Sequence, residues 1–429
     1  MSSARRIVLL VAAVFFITGL FTSTWIALAQ FDDPFCYGRV QLWNALDPGA
    51  LFFSDAVEFF SASKIEFYHQ PGLTMDLIAG SVIRAAASFH DHHLFIVEHR
   101  FFFFGLCSFL STLCFLACCQ PLALLVRRFE IASLGPVVCA LFLCSVPVLL
   151  FVNRFSPEPY YLLFGLWSLE LGLRALEGTR PRLLWFGAGA AMALSILAKP
   201  LMLPAFALLA MLSMRRITWF LSAAAGAVAV GAPLLLKLPV RQWLDILIME
   251  AHNRDQVTGP LQFLARRDQA PLVPHHIALV CAGALGAIVL LTRGGKRQRQ
   301  AAMVCGGLAI AMFALIAHRP DWHYDFGWYW CALTLAAGGA MLLTRTPLRT
   351  FIVLVLLLDV WGYWGLLSTY KQYHDRWADR LPIARRDPES LPAVWEKRVG
   401  DTDVGEIFPV KSERLQQALT SLRQWHGNR

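Results

Sequence analysis

The sequence predicts an all-α polytopic membrane protein of about eleven transmembrane helices, within a range of about ten to thirteen. Three observations predict it. Of the 429 residues, 57% are hydrophobic and only 16% charged, whereas soluble domains carry roughly a quarter charged residues. Mean hydropathy is +0.53. Apolar runs recur along the chain, and arginines and lysines mark alternate ends of them.

So little charge cannot cover a soluble domain of this size. A soluble enzyme, a disordered chain and a nucleic-acid-binding module are therefore excluded. The formal net charge of +9 reads as topology charge, and no nucleic-acid partner is expected. Of the ten cysteines, only Cys36 falls in a loop. They form neither a disulfide framework nor a zinc-ligand spacing.

The first apolar run, Ile7 to Ala29, follows Arg5 and Arg6 and closes on Ala27-Leu28-Ala29, which looks like a signal-peptidase site. It is longer than the roughly 7–15 residues of a signal-peptide core, so it reads as an uncleaved helix with its N-terminus in the cytoplasm. Further spans are expected at 100–126, 132–152, 159–177, 183–198, 200–214, 217–236, 276–292, 301–317, 326–343 and 350–367. Arg127/Arg128, Arg174/Arg180/Arg182, Arg215/Arg216, Arg293/Lys296/Arg297/Arg299 and Arg345/Arg349 then fall at alternate span ends. Those ends are expected to be cytoplasmic.

Residues 72–89 are apolar but contain Asp76 and Arg84 and end in His90-Asp91-His92-His93. As a crossing they would put Arg127 and Arg128 outside, so they read as an interfacial or re-entrant helix, with a twelfth span as the alternative. The membrane domain is then 1–367, with residues 30–99 as its first extracytoplasmic loop, and 368–429 form an extracytoplasmic tail. Within the loop, Phe52 to Tyr68 alternates phenylalanines with Asp55, Glu58, Lys64 and Glu66. That pattern suits amphipathic helices on the outer membrane face.

The cytoplasmic connections are too short to hold a site, so chemistry is expected outside. Asp32 and Asp33 follow the first helix directly. They are either an acidic flank or a catalytic carboxylate at the membrane surface, able to deprotonate an acceptor hydroxyl. Glu158 is a second outer carboxylate, or else a solvated turn residue. Arg100, Arg154, Lys199, Lys237, Arg241 and Arg319 fall at outer span ends, against the positive-inside bias. Lys199, in Leu197-Ala198-Lys199-Pro200, sits between two apolar runs. A cation there either snorkels to lipid headgroups or serves an anion, for which phosphate is the natural choice. His318 to Asp325 and His69 are polar clusters of unspecific spacing, and metal binding stays open.

The order of these features resembles the glycosyltransferase-C superfamily, in particular bacterial protein-mannosyltransferase-like and aminoarabinose-transferase-like enzymes. The matching features are the acidic pair Asp32-Asp33, His69-Gln70-Pro71-Gly72, and the helix from Arg100 to Arg127-Arg128. Arg154-Phe155-Ser156-Pro157-Glu158, Leu197-Ala198-Lys199-Pro200 and His323-Tyr324 follow in order. The likeness is good over 7–214, loose over 215–367 and absent from the tail. Gln70, Gly72, Asp33 and Glu158 depart from the family's residues and leave the subfamily, sugar and acceptor open.

The resemblance implies an inner-membrane glycosyltransferase that takes a polyprenyl-phosphate sugar from the outer leaflet. Asp32, or else Asp33, would act as base on a hydroxyl of a glycan, lipid or protein acceptor, with inversion at the sugar. Lys199 and Arg154, with Arg100 and His323, would stabilise the departing phosphate. Glu158 and His69 would orient substrates, and Tyr324 would join the binding set. No cofactor is implied with certainty, and a divalent metal remains open. A lipid-linked-sugar flippase, an O-antigen ligase or polymerase, and a non-catalytic scaffold are the rival readings.

Overall fold

Among the described residues every regular element is a helix, as the composition predicts. The computed structural model describes residues 3–27, 53, 55–57, 59–60, 72–87, 95–96, 99–151, 155–178, 180–238, 240–241, 273–316, 326–343, 350 and 354. Three helices there are long and apolar enough to cross a membrane: Phe102–Phe129, Pro181–Ala198 and Ile217–Leu235. Shorter apolar helices accompany them. The expected span at 350–367, most of the first outer loop and the tail lie outside the described residues.

α1 (Ser3–Ala27) is predominantly apolar from Ile7 onward, after Arg5 and Arg6 in its first turn. α2 (Leu73–Ala86) follows Gly72, whose φ of 48° is the left-handed backbone that glycine adopts without cost. Its 14 residues span about 21 Å, short of the ~30 Å hydrocarbon core. α3 (Arg100–Val126) runs into a 3-10 turn at Arg127–Phe129. The expected span at 132–152 is broken into α4 (Leu134–Leu143) and α5 (Val146–Phe151). At the break the Ser145 hydroxyl donates to the Phe142 carbonyl at 2.7 Å. α6 (Glu158–Glu177) begins with prolines on both sides of Glu158 and carries Arg174 in its last turn, which suits the helix dipole.

α7 (Pro181–Ala198) ends at Lys199, and a 3-10 turn at Pro200–Met202 leads into α8 (Leu203–Ser213). Then come α9 (Ile217–Leu235), α10 (Val273–Arg293), α11 (Lys296–Ile316) and α12 (Phe326–Leu343).

α7 is the centre of one packed layer, against α6 on one side and α9 on the other. Its crossing with α9 is close because Gly189 and Gly226 meet there. A Cβ on Gly189 would run into the Ala223 carbonyl, and one on Gly226 into that of Phe186. In lipid, where apolar burial does not drive helices together, such small-residue contacts supply the packing. α3 joins α1 to α6, while α10 and α11 pack on α12, which meets α4 and α6, and α11 also meets α8 and the turn after α3. Trp185 stacks on Trp219 at 6.1 Å, and Phe313 meets Trp328 edge-on at 5.5 Å. Leu9, Leu10, Ile17 and Phe21 on α1, and Ile217, Leu221 and Val228 on α9, point outward. An outer surface that apolar suits lipid contact rather than water.

Candidate functional site

Two prolines and a helix end place the two charges that define this site. Pro200 disfavours helical backbone in the residue before it. Lys199 is accordingly extended, with φ −165° and ψ 130°, while its N–H still donates to the Ser195 carbonyl at 2.9 Å. Glu158 sits in the first turn of α6, behind Pro157. The Lys199 ammonium donates to Glu158 Oε1, and the two side chains are only 5% and 0% exposed. Glu158 Oε2 has no hydrogen-bond partner.

Glu158 is therefore not a solvated turn residue, and Lys199 does not snorkel outward. They form a buried pair joining the start of α6 to the end of α7. Hydrogen bonds along the same seam hold the register: Ser195 Oγ donates to the Tyr161 carbonyl at 2.7 Å, and Ser168 Oγ to the Ala188 carbonyl at 2.9 Å.

α2 caps this end of the helices. Thr74 Oγ1 donates to the Leu194 carbonyl at 2.6 Å. Leu73 packs with Phe59, Leu197, Leu234 and Leu238. One face of α2 carries Asp76 and, one turn on, Gly80. A Cβ at Gly80 would stand 2.5 Å from the Ala56 carbonyl oxygen, so the glycine lets the 53–60 segment lie directly on α2. Phe53 meets Phe104 of α3 edge-on at 5.7 Å, and the Lys237 ammonium lies 5.6 Å from the centre of the Phe59 ring.

This contact buries two acids, Asp55 and Asp76. Neither Asp76 carboxylate oxygen has a hydrogen-bond partner. Burial first, and the Asp55 carboxylate second, push the Asp76 carboxyl well above its ordinary value of 3.8. Asp76 also acts electrostatically on Tyr160, two residues beyond Glu158, so the acids and the Lys199–Glu158 pair belong to one end of the bundle.

Of the residues expected from sequence, the structure brings Lys199 and Glu158 together. Arg100 opens α3, but its side chain is outside the description. Asp32, Asp33, His69, Arg154, His323 and Tyr324 lie outside the described residues. Asp55 and Asp76 were not singled out as site residues, although an acid inside an apolar run is a signal the sequence does carry. Among the described residues no group of three or more His, Cys, Asp or Glu forms a metal-ligand cluster.

At the opposite end, about 30 Å away along the 20 residues of α6, the charges are arranged differently. Arg128 donates to Glu170 at 2.9 Å and to Glu177 at 2.7 Å. Arg297, in the first turn of α11, pairs with Glu130.

Chemically, the first end offers a buried ammonium, two buried carboxylates, and a Glu158 carboxylate oxygen still free to accept. Such a set can bind an anion and hold a proton close to it. Comparisons with family models, with curated proteins and with solved structures return no match for this chain.

Proposed function

We propose that the chain is an integral membrane glycosyltransferase that moves a sugar from a polyprenyl-phosphate donor to an acceptor hydroxyl at the outer face of the bacterial inner membrane. About eleven spans, with the basic helix ends inside, put Lys199 and Glu158 on the outer side. The observation that carries the reading is the buried Lys199–Glu158 pair at a helix break. A buried pair gives little net stability over apolar residues of similar size, so its presence calls for a functional reason. With a donor bound, the phosphate oxygens compete with Glu158 for the Lys199 ammonium. Glu158 is then released to orient the acceptor, and Lys199 stabilises the leaving phosphate as the glycosidic bond breaks.

The base is a carboxylate of the first outer segment. Asp32, or else Asp33, is the sequence's candidate. Asp55 is a second one, because it is buried beside Asp76 at the same end of the bundle as Lys199.

The test is transfer in proteoliposomes from a panel of undecaprenyl-phosphate sugars to lipid and glycan acceptors. Lys199→Ala is expected to raise the donor KM and slow turnover, with Lys199→Arg partly active. Asp32→Asn, Asp33→Asn and Asp55→Asn, run in parallel, identify the base by a loss of about 10²–10⁴-fold in one of them. Sugar translocation without transfer would favour the flippase. Unchanged kinetics in Lys199→Ala would remove the pair from the donor site.

A further inference from the structure

The Arg128 end of the bundle contains a crevice of about 730 Å³ between α3, α6, α8, α11 and α12. Its depth is apolar, lined by Leu169, Leu208, Leu308 and Trp330 among others. Its mouth lies at helix ends and carries four arginines (Arg127, Arg128, Arg174, Arg297) against three glutamates (Glu130, Glu170, Glu177).

The three carboxylates are taken up by two of those arginines: Arg128 holds Glu170 and Glu177, and Arg297 holds Glu130. Arg127 and Arg174 are exposed and form no ion pair among the described residues. The Arg128 Nε–H is buried with no acceptor, so the protein alone leaves a donor at the crevice's mouth unsatisfied. An apolar slot between helices, topped by two unpaired guanidinium groups at the level of the helix ends, matches one chemistry. That is a phospholipid with an anionic headgroup and an acyl chain to lay along the slot.

We propose that this crevice is a binding site for an anionic membrane phospholipid, with the headgroup phosphate on Arg127 and Arg174 and an acyl chain along the α6–α11 wall. The charge balance selects the occupant. A zwitterionic lipid brings a cation to a mouth that already has an excess of arginine, and a free phosphate leaves the apolar depth unfilled. The site is on the opposite end of α6 from Lys199 and does not depend on the glycosyltransferase reading.

The experiment uses the full chain, delipidated in detergent, with thermal unfolding followed by tryptophan fluorescence. Dioleoylphosphatidylglycerol is expected to raise the unfolding temperature saturably. Phosphatidylcholine with the same chains, and inorganic phosphate, are expected to leave it unchanged. The double variant Arg127→Gln with Arg174→Gln should require about thirtyfold more phosphatidylglycerol for half-saturation, the effect of removing two surface arginines. Val304→Trp, which fills the crevice from an exposed lining position, should abolish the shift without altering the lipid-free protein. Native mass spectrometry of the unmodified protein gives a readout that needs no variant, and retained phosphatidylglycerol adducts in excess of phosphatidylcholine are expected. Equal stabilisation by phosphatidylcholine or by inorganic phosphate, equal adducts, or an unchanged half-saturation concentration in the double variant would each overturn the proposal.

Discussion

The two ends of α6 hold acids by opposite means. At the first end Glu158 is wholly buried and meets a single lysine that is itself 5% exposed. At the other, Arg128 is 22% exposed and spans Glu170 and the exposed Glu177, and the Arg297–Glu130 pair lies in the open. An open pair is screened and contributes about 0–1 kcal/mol. A buried pair pays a desolvation cost that its own attraction only roughly recovers, and losing one partner strands a charge. The comparison therefore separates charges that anchor helix ends at an interface from charges kept dry, where an incoming anion would feel them at full strength.

The largest expected effect is at the dry pair. Lys199→Ala or Glu158→Ala alone should destabilise by about 3–5 kcal/mol, because each leaves an uncompensated buried charge. Lys199→Met with Glu158→Leu should cost far less than the sum of the singles and, on the proposed function, should abolish transfer. Denaturant unfolding in detergent measures the coupling. Singles that simply add would mean the pair is not energetically linked.

Next in size is the contact of α2 with the 53–60 segment. Gly80→Val forces a side chain into the Ala56 carbonyl and should cost about 1–3 kcal/mol. Faster proteolysis of the 53–60 segment would report it, and an unchanged digestion pattern would count against the close approach. Arg128→Ala should cost about 1–2 kcal/mol, since Glu170 is left 4% exposed without its donor. Glu177 simply returns to water.

Asp76 is expected to act with the opposite sign. Its carboxyl titrates above the ordinary 3.8, with Asp55 as the facing charge. The resulting penalty on the fold is absent below that ordinary value and grows as pH rises toward the folded-state value. Asp76→Asn should therefore be more stable than the parent at pH 7, with the gap closing on acidification. Unfolding temperatures across pH check this, and a gap independent of pH would contradict it. Smallest of all, Arg297→Ala should change stability by no more than about 0.5 kcal/mol. A larger change would mean the exposed network does structural work.

Helical class and the positions of most breaks were legible in the sequence, because they follow from local causes. Apolar runs must satisfy their own backbone, Pro200 fixes the extended Lys199, Pro157 and Pro159 bracket the start of α6, and Gly72 supplies the turn before α2. Lys199 was legible as a misplaced cation and Glu158 as a second carboxylate or a solvated turn residue, but as separate actors, one for phosphate and one for orientation. Their union depends on α6 and α7 running side by side with their ends level, a property of packing between segments 41 positions apart. Asp55 and Asp76 were visible as letters but not as a pair. Their burial arises only when Gly80 admits the Ala56 backbone. Likewise, the basic clusters were legible as arginines and lysines at helix ends, whereas the division of Arg127 and Arg174 from the paired Arg128 and Arg297 exists only once five helices enclose a crevice. Local chemistry along the chain thus determined where helices form and stop. Which charges are paired, stranded or dry was decided by the tertiary structure, because desolvation and ion pairing depend on neighbours that the chain brings together only by folding.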